Sequence, residues 1–228
     1  MSDTPTNPAA DTPPHPLAPP TPAAAPAAAP DPFSRAELLA CLTRPANSLD
    51  VVLAARGRMI ANVNQKAHLP ILLIVLALCS VLATLPFAVV DGGLHAARVA
   101  LLFAGSALIC FPSLHVFASY LGLRLSVEQN LALTLVIPAA AALFTLGFAP
   151  IHWFLAATMP ADSAVSATTT RIVLLVAALL LSLSHLNRCL FGDVTLEQLR
   201  ASWPLWIGWQ ILLLWITWRM AQTLGVFA

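Results

Sequence analysis

Charge is what this sequence has least of. Only 9% of its 228 residues are charged and 59% are hydrophobic, with a mean hydropathy of +0.82. A soluble domain carries about 25% charged residues, so the chain reads as a multi-span membrane protein. Acids are missing where spans would lie: no Asp or Glu occurs between Gly92 and Val127, between Gln129 and Ala161, or after Glu197. Proton-coupled pumps and metal-dependent membrane enzymes draw on buried carboxylates, so both readings lose ground. No P-loop, HExxH or GxSxG occurs. Ser113 and Ser119 lie near His115, but no carboxylate is available to orient the imidazole as a base. The four cysteines, Cys41, Cys79, Cys110 and Cys189, contain no CxxC, which argues against a zinc site or a disulfide framework and for buried small hydrophobes. The net charge is +1 and the 11 Lys and Arg are scattered, so nucleic acid is not an expected partner. The reading is of a chain that is not an enzyme and holds no metal or cofactor.

What is present begins with proline. The first 32 residues hold 11 prolines and 9 alanines and no Lys or Arg. They lack the basic start and unbroken apolar stretch of a signal peptide. Without large apolar side chains they cannot offset the entropy of ordering, so residues 1–32 read as a disordered cytoplasmic tail with polyproline II character. Its PPHP and PPTP runs suit either a spacer or a ligand for an aromatic groove. Residues 33–66 read as amphipathic juxtamembrane helices. Ser34 and Glu37 form a capping box, and Phe33 with Leu38 a hydrophobic staple. This predicts a helix from Arg35 to about Thr43, ending before Pro45. A second begins near Ser48, with Leu49, Val52, Leu53 and Ile60 near one face. Such helices lie in the headgroup plane or pack on the cytoplasmic ends of the spans.

Residues 67–228 read as an all-α bundle of five transmembrane helices, at about 69–90, 98–121, 131–150, 171–186 and 203–220. Most approach the roughly 20 residues that cross a bilayer. With the N-terminus cytoplasmic, the inner side holds eight basic residues: Arg35, Arg44, Arg56, Arg58, Lys66, Arg124, Arg188 and Arg200. The outer side holds three, Arg98, Arg171 and Arg219. This satisfies the positive-inside rule and puts the C-terminus outside. Trp203 and Trp206 mark one interface of the last span, Trp215 and Trp218 the other. The stretch IHWFLAATMP, from Ile151, offers an extra interfacial or re-entrant piece.

The second span carries the candidate functional kink and polar cluster. Pro112 removes a helical hydrogen bond, and Ser113 and Ser119 can answer the freed carbonyls. Ala96, Ala100 and Ala104 make a small-residue seam, and Pro138 with Ala139 to Ala142 gives the third span another. His115 and His185 fall toward the inner ends of parallel spans. They can share a metal, relay a proton, or simply hydrogen-bond between helices.

ALICFPSLHVFASYLGLRLS followed by LTLVIPAAAALFTLGFAPIHWF resembles the core of a family of small bacterial multi-span membrane proteins without an assigned activity, some of which carry a WH2-type actin-binding label. The matching residues are Ile109, Cys110, Pro112, Ser113, Leu114 and Phe117, then Gly147, Phe148, Ala149, Pro150, Ile151 and Trp153. His115 stands where the family usually has tyrosine. The last span keeps Trp218 and Arg219 but lacks the proline of the family's W-x-L-R-P-F ending. The resemblance covers roughly residues 69–219 and implies the multi-span fold class and a bacterial inner-membrane location. No LKKT-like strand follows the first helix, as a WH2 module requires. The five-span layout with a long N-terminus is also similar to Yip1-type proteins, without their D-L-Y-G-P motif.

Two functions fit. One is a non-catalytic scaffold or accessory subunit of an inner-membrane assembly, in contact with lipid, other membrane proteins or further copies of itself. The other is a small transporter or channel subunit working as an oligomer, motivated by Pro112, Pro138, Pro150 and the polar atoms around His115.

Overall fold

A computed structural model describes residues 30–44, 46–87, 92–120, 125–158, 164–191 and 196–226. The expected tail therefore lies outside the described residues up to residue 29. Among the described residues the fold is all-helical, with no strand. Short helices come first: α1, Arg35–Thr43; α2, Asn47–Leu49, which continues as a π-helical turn over Asp50–Ala54; and α3, Arg56–Gln65. Long helices follow: α4, Leu69–Leu82; α5, Gly93–Tyr120; α6, Val127–Thr158; α7, Ala164–Phe191; and α8, Leu196–Thr223.

Among the described residues, four segments are long and apolar enough to cross a membrane: Leu69–Phe87, Gly93–Tyr120, Val127–Thr158 and Thr168–Cys189. The fifth expected span belongs to α8, which does not reach the same apolar level. Its described face mixes Ile211 and Leu213 with Gln210, Arg219 and tryptophans whose ring N–H is polar. α6, α7 and α8 outrun the expected boundaries at both ends and α5 at its start, because hydropathy marks only the part that suits hydrocarbon, while α4 ends at Leu82, short of the expected residue 90, with a turn at Ala83 and Thr84. The expected extra piece after Pro150 is corrected in the same way: Ile151 to Thr158 simply prolong α6. Pro150 costs one hydrogen bond and does not end the helix.

Cross-contacts fix the direction of each helix. Gln129 at the start of α6 donates to the Val63 carbonyl at 2.7 Å. Higher up, the Cys79 thiol lies 3.9 Å from the Ala139 carbonyl, and Phe87 stacks on His152 with centroids 4.3 Å apart. α4 and α6 therefore run the same way. α5 runs opposite, since His115 near its end meets Asn130 near the start of α6. α8 runs antiparallel to α5, with Trp209 beside Cys110 and Gly225 beside Arg98. It is also antiparallel to α7, with Trp206 and Gln210 on Asn187 and Val226 on Arg171. Below, the near end is the one where α4 begins, and the far end is the other.

α6 is the centre of the bundle. Of its most apolar window 72% is buried, against 39–44% in the other three candidate spans. It packs along α4, α5 and α7, while α8 packs on α5. Ala139, Ala140, Ala141 and Ala142 are fully buried, so the proline-alanine stretch lets neighbouring helices approach closely. The far end of α8 is closed by a Schellman turn: Gly225 adopts a left-handed φ of 61°, and Val226 N–H donates to the Ala221 carbonyl at 3.0 Å.

The N-terminal helices pack on this bundle. α1 lies against α4, the turn over Asp50–Ala54 against α6, and α3 against α6 and α7. The capping box forms, with Ser34 N–H donating to Glu37 at 2.7 Å and Glu37 N–H to the Ser34 hydroxyl at 3.3 Å. Phe33 and Leu38 are both buried in the core. The second expected helix is instead broken at Ala55, whose backbone is not helical (φ −98°, ψ 44°), so that Leu49 stays exposed while Val52 is buried.

Candidate functional site

The most connected polar residues sit at the near end, and Asn62 on α3 is their hub. It is fully buried. Its side-chain oxygen accepts from Phe33 N–H, and its amide nitrogen donates to the carbonyls of Phe33 at 3.4 Å and Ala67 at 2.9 Å. One side chain thus fastens the entry to α1 onto the exit from α3. That exit is a tight turn in which Lys66 (φ 55°) and His68 (φ 52°) are both left-handed, a conformation that costs a residue with a Cβ and is held by its surroundings. Gln129 adds a second tie. It completes a capping box with Ser126, accepting from Ser126 N–H at 2.8 Å, and its amide donates to the Val63 carbonyl at 2.7 Å.

Arg58 makes the third tie. Its guanidinium bonds both Glu37 oxygens at 3.0 Å and the Asp31 carbonyl at 3.2 Å, and lies 4.2 Å over the Phe33 ring. The Ser34 backbone N–H, then its hydroxyl, then Arg58 hold the Glu37 carboxyl below its usual value. A lowered carboxylate stabilises the fold above its ordinary pKa of about 4.3, and that stabilisation is lost as pH falls through the lowered value. Amide exchange protection in α1 is therefore expected to drop below about pH 4 in the wild type. In Glu37→Gln it should be weaker at neutral pH and should not change over that window.

The residues singled out in the sequence do not form one cluster. Pro112 is exposed on α5, and the Ser113 hydroxyl donates to the Cys110 carbonyl at 2.6 Å, not to the Leu108 carbonyl that Pro112 leaves free. Ser119 donates to the His115 carbonyl at 2.9 Å. The His115 ring meets the Asn130 amide at 2.7 Å and Phe111 at 6.4 Å between centroids, while His185 lies 3.5 Å from the Cys189 sulfur. Asn130 is almost fully buried, and its side-chain oxygen has no partner among the described residues.

Other buried hydroxyls in the long helices and the turn after α4 are satisfied locally. Ser80, Thr84, Ser106, Thr134, Thr145, Ser182 and Thr217 each donate to a carbonyl three or four residues back. This is the usual internal answer to a polar side chain in an apolar setting. Among the described residues, no group of three or more His, Cys, Asp or Glu converges in a way that could hold a metal ion.

Sequence reasoning missed Asn62, Gln129 and Asn130. The Ser126–Gln129 spacing is a readable capping box. Nothing local announces that Asn62 reaches residue 33, because that contact depends on how the chain folds back. Comparison with protein-family models, curated proteins and solved structures finds no match to this chain.

Proposed function

We propose that the chain is a non-catalytic scaffold or accessory subunit embedded in a bacterial inner membrane, carrying α3 at its near end and α1 and α2 along the flank of α4. The observation that carries this reading is the apolar packing at the centre of α6, where four successive alanines are fully buried and the Thr134 and Thr145 hydroxyls are bonded within the helix. Such a core packs helices together. α8 counts as a fifth span in this reading. From Trp203 to Thr223 it covers about 30 Å, the thickness of a hydrocarbon core, antiparallel to two candidate spans. The arginine balance favours a cytoplasmic near end.

A transporter or channel subunit is the rival reading, favoured by the partnerless Asn130 oxygen beside His115. One set of vesicles separates them. Purified protein in liposomes should pass protons and K+ no faster than empty liposomes, with or without His115→Ala. Mild extraction should also recover the chain with the same membrane protein at fixed stoichiometry. Ion flux abolished by His115→Ala, or a chain that always emerges alone, would overturn the scaffold reading.

A further inference from the structure

Packing between the α1–α3 hairpin and the bundle leaves a notch. A cavity of about 560 Å³ lies between residues 41–49, α4 with the turn that follows it, and α6. Ligand sites run from about 300 to 1,000 Å³. Along α4 and the turn that follows it, the wall extends from Val75 to Pro86, about 16 Å at a helical rise of 1.5 Å per residue. That is half of a hydrocarbon core of about 30 Å, the depth of one leaflet.

The chemistry of the wall limits what can sit there. Leu42, Leu49, Leu82 and Leu146 are among the residues that line it, no charged side chain does, and its polar side-chain atoms are the Ser48 hydroxyl, which is buried and engaged, and the Cys41 and Cys79 thiols, which lie against carbonyls. Water needs two to four polar partners to stay in a cavity, and this one does not supply them. A polar ligand would lose its hydration without replacement. The mouth is continuous with the outward face of α4, where Leu78, Leu82 and Leu85 stand half-exposed on a segment apolar enough to cross a membrane. The medium at that mouth is hydrocarbon, and the occupant it supplies is an acyl chain.

We propose that this notch holds one acyl chain of a bilayer lipid. The chain comes from the leaflet at the far end of α4, enters past Leu85 and Pro86, and ends against Cys41 and Ser48. Its length matches the one-leaflet height of the wall, and its methylenes replace contacts that Leu42, Leu49 and Leu82 otherwise lack. The hairpin then completes its packing through a lipid, so its docking depends on the bilayer as well as on Asn62, Gln129 and Arg58. This inference rests on the membrane placement of α4 and α6 and is independent of the scaffold role.

The test uses the full chain in phosphatidylethanolamine and phosphatidylglycerol vesicles doped with a phosphatidylcholine that bears a diazirine at the end of one palmitoyl chain. After illumination, adducts are mapped on the protein. Labelling is expected to concentrate on residues 41–49 and 75–86, with about one lipid retained per chain after mild extraction. Two variants fill the notch: Ala83→Trp from the α4 side and Leu49→Trp from the exposed hairpin side, the second sparing the buried core. In either folded variant labelling of the notch should fall about tenfold, the change that about 1.4 kcal/mol of binding produces. Labelling of Leu101 and Leu108, exposed on α5, should not change. Equal labelling of both surfaces, insensitivity to Leu49→Trp, or crosslinks from the notch to a second copy of the chain would each overturn the proposal.

Discussion

Replacing Trp209 by alanine should lower stability by about 3–5 kcal/mol, the cost of emptying a fully buried aromatic site. Trp209 is completely buried, packs on Trp206 with ring centroids 5.2 Å apart, and points its indole N–H at the Cys110 carbonyl, 3.4 Å away. That carbonyl also receives the Ser113 hydroxyl at 2.6 Å, so it is not orphaned when the indole goes. The loss is therefore mainly one of packing between α8 and α5, and Trp209→Phe should recover much of it. Thermal unfolding of purified protein in one detergent reads the difference. The contrast is internal: Trp215 is exposed on the same helix, and Trp215→Ala should fall within about 0.5 kcal/mol of the wild type. Equal effects at both positions would mean that α8 is not packed on the bundle as described.

Asn62→Ala is the second large effect. The substitution strips partners from Phe33 N–H and from the Phe33 and Ala67 carbonyls, all at a buried junction. Each buried group left unsatisfied costs about 1–3 kcal/mol, so the junction opens before that cost is met in full, and α1 leaves α4. Cys41 reports the event. Its thiol is buried against the bundle, and burial first, then Asp50 and Glu37, push its pKa up, so it reacts slowly in the native protein. Alkylation of Cys41 by a maleimide at neutral pH should accelerate by more than about tenfold in Asn62→Ala, which corresponds to about 1.4 kcal/mol of lost docking. An unchanged rate would show that the hairpin is held without this side chain.

Elements that depend on neighbouring residues were the legible ones. The Ser34–Glu37 box fixes where α1 starts, Phe33 and Leu38 fix its entry angle, and both are local chemistry. Apolar runs locate the long helices but not their ends, since α7 begins at Ala164 and α8 at Leu196, well before the hydrocarbon-like stretch of each. The break at Ala55 was hidden because Leu49, Val52, Leu53 and Ile60 keep a helical spacing that the packed chain does not use. At the near end, the ties from Asn62 to residue 33 and from Gln129 to residue 63 join positions 29 and 66 apart in sequence. His115 was singled out for its type, and its partner Asn130 became visible only once α5 and α6 were side by side.

The central claim is that α4 to α8 cross a bilayer in alternating directions, with the start of α4 on the arginine-rich side. Reporter proteins that are active on only one side of the bacterial inner membrane, fused before residue 30 and after residue 226, test this in a single experiment. The account predicts a cytoplasmic signal at the first junction and a periplasmic one at the second. Signals from the same compartment would remove α8, or another of the five, from the membrane and contradict it.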